Sequence, residues 1–481
     1  MPENIHIAAP AIQDLKKGDM IIVETESLSG EGTSVGRWGG IVCFVEHAVP
    51  GDVARVKLFK IKKHYLAGRA VEILEPSRLR TEPRCAHFGT CGGCRWQNLS
   101  YDAQLEFKRR RVTDAFERIS GISGIEVRPV RACAGVYHYR NKMEYTFSNE
   151  RWLTPEEFAS ETVREPRLAL GLHLPEKFDR ILDLTECHLQ SPAGEAIMLA
   201  TREFFIGRGC DAYSTRTHKG YLRHLAIREG ALTGQIMVNL VTTHDRPDEM
   251  KAYTAHLVER FPAVTTVVNN ITERKSMVAL GDREVVYHGG GTITEKIGNR
   301  TFRISANSFF QTNSLQARTL FDAVVELADF SPSDTVYDLY CGTGAIAIHI
   351  SEFVERVVGI EVSESAVADA SRNAAENRVA NCFFLRATLP AGLDPASEDL
   401  AGQPPPDVVV VDPPRNGLHA KLIVKIVRLA PQKVVYLSCN PATQARDVRL
   451  FADAGYLPGP VQPVDMFPHT DHIETVTVLR K

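Results

Sequence analysis

The feature that most constrains the fold is a regular alternation of strand-like and helix-like segments that begins near residue 330. Apolar runs such as DTVYDLY, RVVGIEV, DVVVVD and KVVYLS have the length and β-branched content of buried strands. Helical segments such as GAIAIHISEF and SESAVADASRNAAEN lie between them, with Ser363 placed to cap the second. This alternation predicts an α/β domain built on a doubly wound, mostly parallel sheet.

The 481 residues are too many for one ordinary domain, and the N-terminal part has a different character. Residues 15 to 76 contain short alternating strands bounded by Gly, Pro and Asp, which predict a small antiparallel β-barrel. Residues 126 to 297 are mixed α and β. We therefore place domains at 1–77, 78–300 and 301–481. A helix within 99–125, expected to pack on the third domain, carries one apolar stripe: Leu105, Val112, Phe116 and Ile119.

The composition is that of an ordinary globular protein, with 44% hydrophobic residues, 24% charged residues and a formal net charge of −3. The N-terminus lacks the basic and apolar regions of a signal peptide, and no apolar run approaches the ~20 residues of a membrane span. We therefore expect a cytoplasmic protein with no membrane association, and separately we expect a monomer. Ten cysteines are too dilute for a disulfide scaffold, so burial, metal binding or catalysis must account for them.

Two glycines follow the first strand of the alternating region, in the stretch DLYCGTGAIA. Gly342 and Gly344 allow the backbone to turn sharply and to approach a ligand closely. The next strand ends in Glu361, where an acid is placed to accept hydrogen bonds from ribose hydroxyls. A dinucleotide site, or two unrelated glycines beside a surface acid, remain alternatives at this point.

Two later strands also end in residues that carry chemistry. VVVVDPPRNGL places Asp412 before a rigid Pro-Pro turn, at the sheet edge where α/β folds bind ligands. Similar turns occur in methyltransferases, but Arg415 stands where amino-methylating enzymes usually carry an aromatic residue. KVVYLSCNPAT places Cys439 at the same edge, where a thiolate can act as a covalent nucleophile. Near the C-terminus, Glu474 begins another strand and is suited to general-base catalysis.

Candidate metal ligands lie in the turn-rich segment PSRLRTEPRCAHFGTCGGCRWQ. Cys85, Cys91 and Cys94 have the close spacing of metal-binding cysteines, although spacing alone does not separate zinc from an iron–sulfur cluster. His469 and His472 are expected to be positioning residues rather than a metal pair, because no further ligands are evident near them.

Together these motifs resemble the RNA (uracil-5-)-methyltransferase family, whose members use S-adenosylmethionine. The resemblance rests on FFQTN, DLYCGTG, GIEVS, VDPPRNG, LSCNPAT and FPHTDHIE, with YRNKMEYTF in the central part. The segment CAHFGTCGGC matches the branch that carries a [4Fe–4S] cluster. The resemblance spans most of the chain. It implies an OB-like TRAM barrel that binds RNA, a mixed α+β central domain and a C-terminal Rossmann-like class I methyltransferase domain.

The resemblance also implies a role for each candidate residue. Cys439 adds to C6 of uracil, which makes C5 nucleophilic toward the donor methyl group, and Glu474 then removes the C5 proton. Asp412 lies between cofactor and base. The family positions that contact S-adenosylmethionine fall on Gln311, Tyr340 and Glu361, and the turn glycines Gly342 and Gly344 are expected to bind the cofactor with them. The cluster ligands are Cys85, Cys91, Cys94 and the distant Cys187.

The expected substrate is a uridine in structured RNA, and the barrel with the cysteine segment favours 23S ribosomal RNA. A tRNA uridine is the alternative. An amino-group or small-molecule methyltransferase would need neither Cys439 nor Glu474, and a non-catalytic RNA-binding protein would not need the cofactor motifs. The basic residues of the barrel are explained by a polyanion surface or by a solvated lysine face: Lys57, Lys60, Lys62, Lys63 and Arg69.

Overall fold

The computed structural model describes residues 15–30, 32–153, 168–175, 177–275, 281–393, 400 and 402–481. Two compact units divide the chain. The first contains the residues up to Gly89 together with Gly93–Arg111 and His469–Asp471. The second contains Thr90–Gly92, Val112–Pro468 and His472–Lys481. In the described ranges, no helix is long and apolar enough to cross a membrane.

The first unit contains a closed barrel whose described strands are β1 (Met20–Leu28), β2 (Ser34–Trp38), β3 (Ile41–Glu46), β4 (Val53–Lys62) and β5 (Tyr65–Glu75). Ile21 and Val23 of β1 point into its core, because alternate residues of a strand share one face. The predicted barrel is confirmed, but its purely antiparallel pairing is wrong. β3 and β5 pair in parallel. An odd number of strands cannot close into a ring through antiparallel pairs alone.

Helix α1 (Tyr101–Ala115) follows the cysteine segment and continues as a π-helical stretch, Phe116–Ser120. Val112 and Phe116 are buried and share an apolar cluster with Val409, as the predicted stripe requires. Ile119 was expected in the same stripe but is 46% exposed. The wider π turn explains the difference, because it rotates the residues that follow Phe116 away from the stripe.

The central part contains a mixed sheet with the strand order β12-β11-β10-β9-β6-β7-β8. Its described strands are β6 (Lys142–Ser148), β7 (Ala169–Leu174), β8 (Lys177–Asp183), β9 (Leu222–Glu229), β10 (Ile236–Thr242), β11 (Val264–Ile271) and β12 (Arg283–His288). Helices α2 (Pro192–Gly207) and α3 (Pro247–Arg260) pack on this sheet. The region is mixed α and β, as the sequence indicates.

The C-terminal part begins with the hairpin β13 (Thr292–Ile297) and β14 (Arg300–Ser305) and with helix α4 (Ser314–Ala328). The strands of the sheet that follows are β15 (Thr335–Leu339), β16 (Arg356–Glu361), β17 (Cys382–Arg386), β18 (Val408–Val411), β19 (Lys433–Ser438), β20 (Leu457–Val464) and β21 (Glu474–Arg480). The helices between them are α5 (Ala345–Ile350), α6 (Glu364–Glu376), α7 (Ala420–Leu429) and α8 (Pro441–Asp453).

This sheet has the order β17-β16-β15-β18-β19-β21-β20, in which β15 to β19 are parallel and β21 runs antiparallel to β19. The predicted doubly wound, mostly parallel sheet is confirmed. Val408 and Val410 of β18 are buried in one apolar cluster and Val409 and Val411 in another, so both faces of the strand are covered. The strand order reverses at β15, and such sheets bind ligands outside the carboxyl ends of the strands at this point.

A buried carboxylate fixes two segments that lead to this sheet edge. Asp447 on α8 is fully buried. It accepts hydrogen bonds from the Tyr436 hydroxyl at 2.7 Å, from the Leu418 amide at 2.7 Å and from Nε of Arg446 at 2.8 Å. Tyr436 lies on the strand before Cys439, and Leu418 follows the turn after Asp412. Asp447 therefore ties both predicted site segments to α8, one through the Tyr436 side chain and the other through the Leu418 backbone.

Asp447→Asn should lower the free energy of unfolding by about 1–3 kcal/mol, because an amide cannot accept all three hydrogen bonds and its NH2 group faces at least one of the three donors inside the protein. Urea unfolding followed by circular dichroism measures the loss. Asp453→Asn is the matched control, since this carboxylate lies on the same helix with 54% of its side chain exposed, and it should unfold like the wild type. Equal stability of the two variants would contradict the assigned role.

Candidate active site

The glycine turn after β15 leaves open space at the sheet edge. Tyr340, Gly342 and Gly344 have φ values of 66°, 54° and 79°, which carry the chain sharply from β15 toward α5. A Cβ added to Gly342 would meet no atom within 4 Å. A Cβ on Gly344 would lie 2.9 Å from the ring of Phe384, so this glycine is required for packing. The two predicted cofactor glycines thus have different reasons to be glycine.

Glu361 connects the ends of β15 and β16. One carboxylate oxygen accepts the Gly342 amide at 3.2 Å, and the other accepts the amides of Val362 and Ser363 at 2.8 and 2.9 Å. These three amides fix the carboxylate beside the glycine turn. Glu361 therefore lies where the sequence places a ribose acceptor, and it also shapes the turn.

Asp338 is a site residue that sequence reasoning missed. It lies on β15 and is fully buried, and among the described residues its carboxylate oxygens form no hydrogen bond of ordinary geometry. Burial, followed by the negative charges of Asp412 and Glu361, raises its pKa well above the ordinary value, and the Ala347 amide opposes the rise. The sequence does contain a signal for this residue, because Asp338 is an acid inside an otherwise apolar strand. A buried carboxylate is costly, so its presence there indicates a function.

Asp412 follows β18 at the same edge and is half-buried. Burial raises its pKa to about 6. The Pro-Pro turn that follows is tied to the start of α8, where the Asn440 amide group and the Thr443 hydroxyl donate to the Arg415 carbonyl at 3.1 and 3.2 Å. These bonds hold the turn that carries Asp412 next to the turn that carries Cys439.

Cys439 follows β19, and the chain then enters α8 because Asn440 caps the helix and Pro441 occupies its first turn. The thiol is half-buried. Burial is the main cause that raises its pKa, to about 11. The charges of Glu474 and Asp412 add to the rise, and Arg415 opposes it. The thiol is therefore protonated at neutral pH, so the environment does not by itself favour the thiolate that a nucleophile requires.

Glu474, the first residue of β21, is electrostatically coupled to Cys439 and Asp412. Burial raises its pKa well above the ordinary value, the charge of Asp412 adds to this, and Arg415 lowers it. A carboxyl group with a raised pKa is a stronger base once ionised, which suits proton abstraction near neutral pH. The structure thus brings together the thiol and the two acids that the sequence proposed as partners.

Arg415 is the cation that opposes the raised pKa values of both Cys439 and Glu474. Its guanidinium lies 2.7 Å from Nδ1 of His472, which was expected to be a positioning residue. From the sequence, Arg415 was used only as an argument against amino-methylating enzymes, which usually carry an aromatic residue there. A positive charge in a turn at the ligand-binding edge could have indicated its role.

The remaining predicted site residues are Gln311 and the four cysteines of the predicted cluster. Gln311 is half-buried in the segment before α4, where Asn313 caps the helix by accepting the Gln316 amide at 3.1 Å. Cys85, Cys91 and Cys94 are half-buried and Cys187 is buried. Over the described ranges, no group of three or more Cys, His, Asp or Glu residues is arranged to hold a metal ion. The predicted cluster stays a prediction.

The arrangement at the sheet edge suits a cationic nucleotide-like ligand. Gly342 leaves space, Glu361 offers a fixed acceptor, and Asp338 and Asp412 place further carboxylates nearby. The sulfonium and ammonium groups of S-adenosylmethionine complement these carboxylates. The fold and the site together define an S-adenosylmethionine-dependent methyltransferase.

Comparison with known proteins identifies the family. The sequence model described as tRNA (Uracil-5-)-methyltransferase matches residues 227–391 and 405–481, and that of the TRAM domain matches residues 15–71. An uncharacterized RNA methyltransferase of Chlorobaculum tepidum is 44% identical over 434 residues, 90% of each chain. A second, of Porphyromonas gingivalis, is 40% identical over 464 residues, 95% of this chain and 99% of that one.

A solved structure agrees with these matches. The tRNA (uracil-54, C5)-methyltransferase of Pyrococcus abyssi, in complex with S-adenosyl-L-homocysteine, superposes with a TM-score of 0.72 and 29% identity, covering 95% of this chain and 99% of that one. The chain belongs to the tRNA (uracil-5-)-methyltransferase family. It is an S-adenosylmethionine-dependent RNA uracil-5-methyltransferase with an N-terminal TRAM domain.

The couplings at Cys439 predict opposite effects of two substitutions on thiol reactivity. Arg415→Ala removes the opposing positive charge and should raise the thiol pKa, whereas Glu474→Gln removes a negative charge and should lower it. Nearby charges shift a pKa by about one unit or more. At a pH below the pKa, each unit by which the thiol pKa rises lowers the thiolate concentration tenfold. At pH 8, alkylation by iodoacetamide should therefore be about tenfold slower in Arg415→Ala and about tenfold faster in Glu474→Gln.

Mass spectrometry of the Cys439 peptide measures the alkylation rate. Arg386→Ala removes an exposed cation from the end of β17 and is the control; its rate should equal that of the wild type. Equal rates in Arg415→Ala and Glu474→Gln would show that neither charge acts on the thiol.

Proposed function

We propose that this protein methylates C5 of one uridine in 23S ribosomal RNA through a covalent adduct between Cys439 and C6 of the base. The observation that carries the proposal is the coupling of a half-buried thiol at the end of β19 to two acids at the same sheet edge, Asp412 and Glu474. An amino-group methyltransferase needs neither the thiol nor Glu474.

Cys439 starts the reaction as a nucleophile. Its proton leaves to water, to which the half-buried thiol has access, and Arg415 favours the thiolate. The sulfur then bonds to C6, and the electron pair of the C5–C6 double bond moves into the ring as an enolate. C5 becomes nucleophilic and takes the methyl group that S-adenosylmethionine carries on its sulfonium.

Glu474 completes the reaction as the base. It takes the proton that remains on C5, the electron pair of the C5–H bond re-forms the C5–C6 double bond, and the C6–S bond breaks to return the thiolate to Cys439. The proton then leaves Glu474 for water. The raised pKa of Glu474 supports this role, because it makes the carboxylate more basic than an exposed one.

The cofactor pocket is proposed to be formed by Gln311, Tyr340, the glycine turn, Glu361 and Asp412. Gly342 offers space for close approach, and Glu361 is fixed by three amides as an acceptor. Asp338 adds a buried carboxylate near Asp412 and Glu361. The pocket therefore favours the positively charged methyl donor over the uncharged thioether that remains after transfer.

The RNA is proposed to contact the TRAM barrel. Lys57, Lys60, Lys62 and Lys63 are exposed along β4 and the turn after it. Phosphate contacts by such residues supply affinity without sequence preference. A tRNA uridine is the second candidate substrate, because the similar P. abyssi protein is a tRNA (uracil-54, C5)-methyltransferase. The cytoplasmic location and the monomeric state stay predictions.

Modification mapping in a strain that lacks the gene tests both the substrate and the nucleophile. We expect 5-methyluridine to disappear from one position of 23S ribosomal RNA. The wild-type gene should restore the modification. Cys439→Ala should not restore it, because the thiol is required for C5 activation. Liquid chromatography with mass spectrometry of digested ribosomal and transfer RNA measures the modified nucleoside at each position.

Cys382→Ala is the matched control, since this half-buried cysteine lies at the start of β17 and has no proposed role, and it should restore the modification fully. Loss of 5-methyluridine from tRNA alone would replace the ribosomal substrate by the second candidate. Restoration by Cys439→Ala would overturn the covalent mechanism.

We also propose that Cys85, Cys91, Cys94 and Cys187 bind a [4Fe–4S] cluster. The spacing of the first three and the resemblance of CAHFGTCGGC to the cluster-bearing branch support this proposal. Four thiolates are the usual ligands of such clusters. No step of the mechanism passes through the cluster.

Anaerobically purified protein should be brown and contain about four iron and four sulfide ions per chain, the composition of a [4Fe–4S] cluster. Cys91→Ser should lower the iron content sharply, because a thiolate ligand is lost. Cys210→Ser, a buried cysteine outside the proposed set, should keep it. A colourless protein with one zinc ion would contradict the iron–sulfur assignment.

A further inference from the structure

The outer face of the barrel carries an aromatic pair that the proposed reaction does not use. Phe44 lies on β3 and Tyr65 on β5, and their ring centroids are 5.7 Å apart with an interplanar angle of 83°. Cys43 and Val45, the neighbours of Phe44 along the strand, are fully buried in the barrel core, and so is Leu66 after Tyr65. Because successive residues of a strand point to opposite faces, both rings lie on the outer face, where they are half-buried.

Cations border the aromatic pair along the strand register. Tyr65 is paired with Lys62 on β4 on one side and with Val42 on β3 on the other. Val42 is in turn paired with Arg37 on β2. This row of the barrel surface therefore has an exposed cation at each end. Lys60 lies closer still, with Nζ 5.4 Å from the centroid of the Tyr65 ring.

Phe59 adds a third ring at the same strand, β4. The register of β4 against β5 shifts between Leu58 and Lys60, so Phe59 is the additional residue of a bulge. A bulge re-aims a side chain, and Phe59 is 44% exposed between the exposed lysines Lys57 and Lys60. Aromatic and cationic side chains therefore alternate along this part of the barrel.

The charges of β3, β4 and β5 favour an anionic partner. These strands carry five cations and three acids: Arg55, Lys57, Lys60, Lys62 and Arg69 against Glu46, Glu72 and Glu75. Two of the acids are compensated within the barrel, because Glu46 pairs with Arg69 at 3.0 Å and Glu72 pairs with Arg55 at 2.8 Å. Three lysines then stand against one acid, although the whole chain has a net charge of −3.

We infer that this face binds unpaired nucleotides of the RNA substrate, with bases stacked on the aromatic rings and phosphates held by the lysines. Exposed rings interspersed with cations suit a single strand, whose bases can leave their neighbours and stack on a side chain. A duplex offers its phosphates to the lysines but keeps its bases stacked inside the helix. The inference rests on the proposed function, because it specifies which part of the RNA the barrel contacts.

The test measures binding of the full-length protein to two fluorescent RNAs by anisotropy. One is an oligouridine of about 12 nucleotides, a length within the range of barrel sites for single strands, and the other is a duplex of the same length. Tyr65→Leu should weaken binding of the oligouridine at least about 5-fold, the loss expected for one base–aromatic stack. Its affinity for the duplex should equal that of the wild type.

Two control variants separate the ring from the fold of the barrel. Tyr65→Phe keeps the aromatic face and should keep the wild-type affinity for oligouridine. Val71→Ala shortens another apolar side chain of β5, which is 50% exposed and has no ring, and it should also bind like the wild type. Phe44→Leu should weaken oligouridine binding as Tyr65→Leu does, because it removes the other ring of the pair.

The salt dependence distinguishes stacking from charge. In a plot of the logarithm of affinity against the logarithm of salt concentration, Tyr65→Leu should keep the wild-type slope, because no phosphate contact is lost. Lys62→Gln should reduce the slope by about 0.7, the value for one phosphate contact to a single strand. A ring with a merely structural role would not produce this separation.

Equal weakening of oligouridine and duplex binding in Tyr65→Leu, or wild-type affinity for oligouridine in both Tyr65→Leu and Phe44→Leu, would overturn the inference. A loss in Tyr65→Phe as large as that in Tyr65→Leu would also overturn it. A wild-type protein that binds neither RNA would remove the proposed contact between barrel and RNA, and the inference with it. Failure of the modification mapping alone, with the stacking signature intact, would overturn only the proposed ribosomal substrate.

Discussion

Burial of several acidic groups at one sheet edge is the constraint on which the site depends. Strands β15, β16, β18 and β19 run parallel, so their carboxyl ends meet and bring Asp338, Glu361, Asp412 and Cys439 to one rim. Charges in such surroundings are costly unless they are compensated. Burial raises the pKa values of the thiol, Asp338 and Asp412, and Arg415 opposes the rise at the thiol.

The excess of acidic groups over positive charges at this sheet edge affects both the cofactor and the thiol. A rim rich in carboxylates favours a positively charged methyl donor, and that charge is lost when the methyl group leaves. Thiolate formation, for which the thiol pKa of about 11 is unfavourable, becomes easier when a cation is bound beside it. In the proposed mechanism, cofactor binding therefore favours the Cys439 thiolate before it attacks, and methyl transfer weakens the attraction of the carboxylates for the spent donor.

The alternating pattern after residue 330 was sufficient to predict the sheet, and the residues at its strand ends were sufficient to propose Cys439, Asp412 and Glu361. Side-chain contacts between distant segments could not be predicted in this way. Arg415 meets His472 across 57 positions, and Gln104 meets His469 across 365. The pairing of β3 with β5 and the π turn after α1 likewise follow from ring closure and local hydrogen bonding rather than from hydrophobic periodicity.

The most direct test of the account is the site of covalent attachment. RNA containing 5-fluorouridine should be trapped after methyl transfer, because the fluorine at C5 cannot be removed as a proton, and the digested complex can be sequenced by tandem mass spectrometry. The account predicts a methylated fluorouridine on the sulfur of Cys439, within the peptide that spans residues 434–446. Attachment to Cys341, the other cysteine after a strand of this edge, or recovery of unattached RNA, would contradict it.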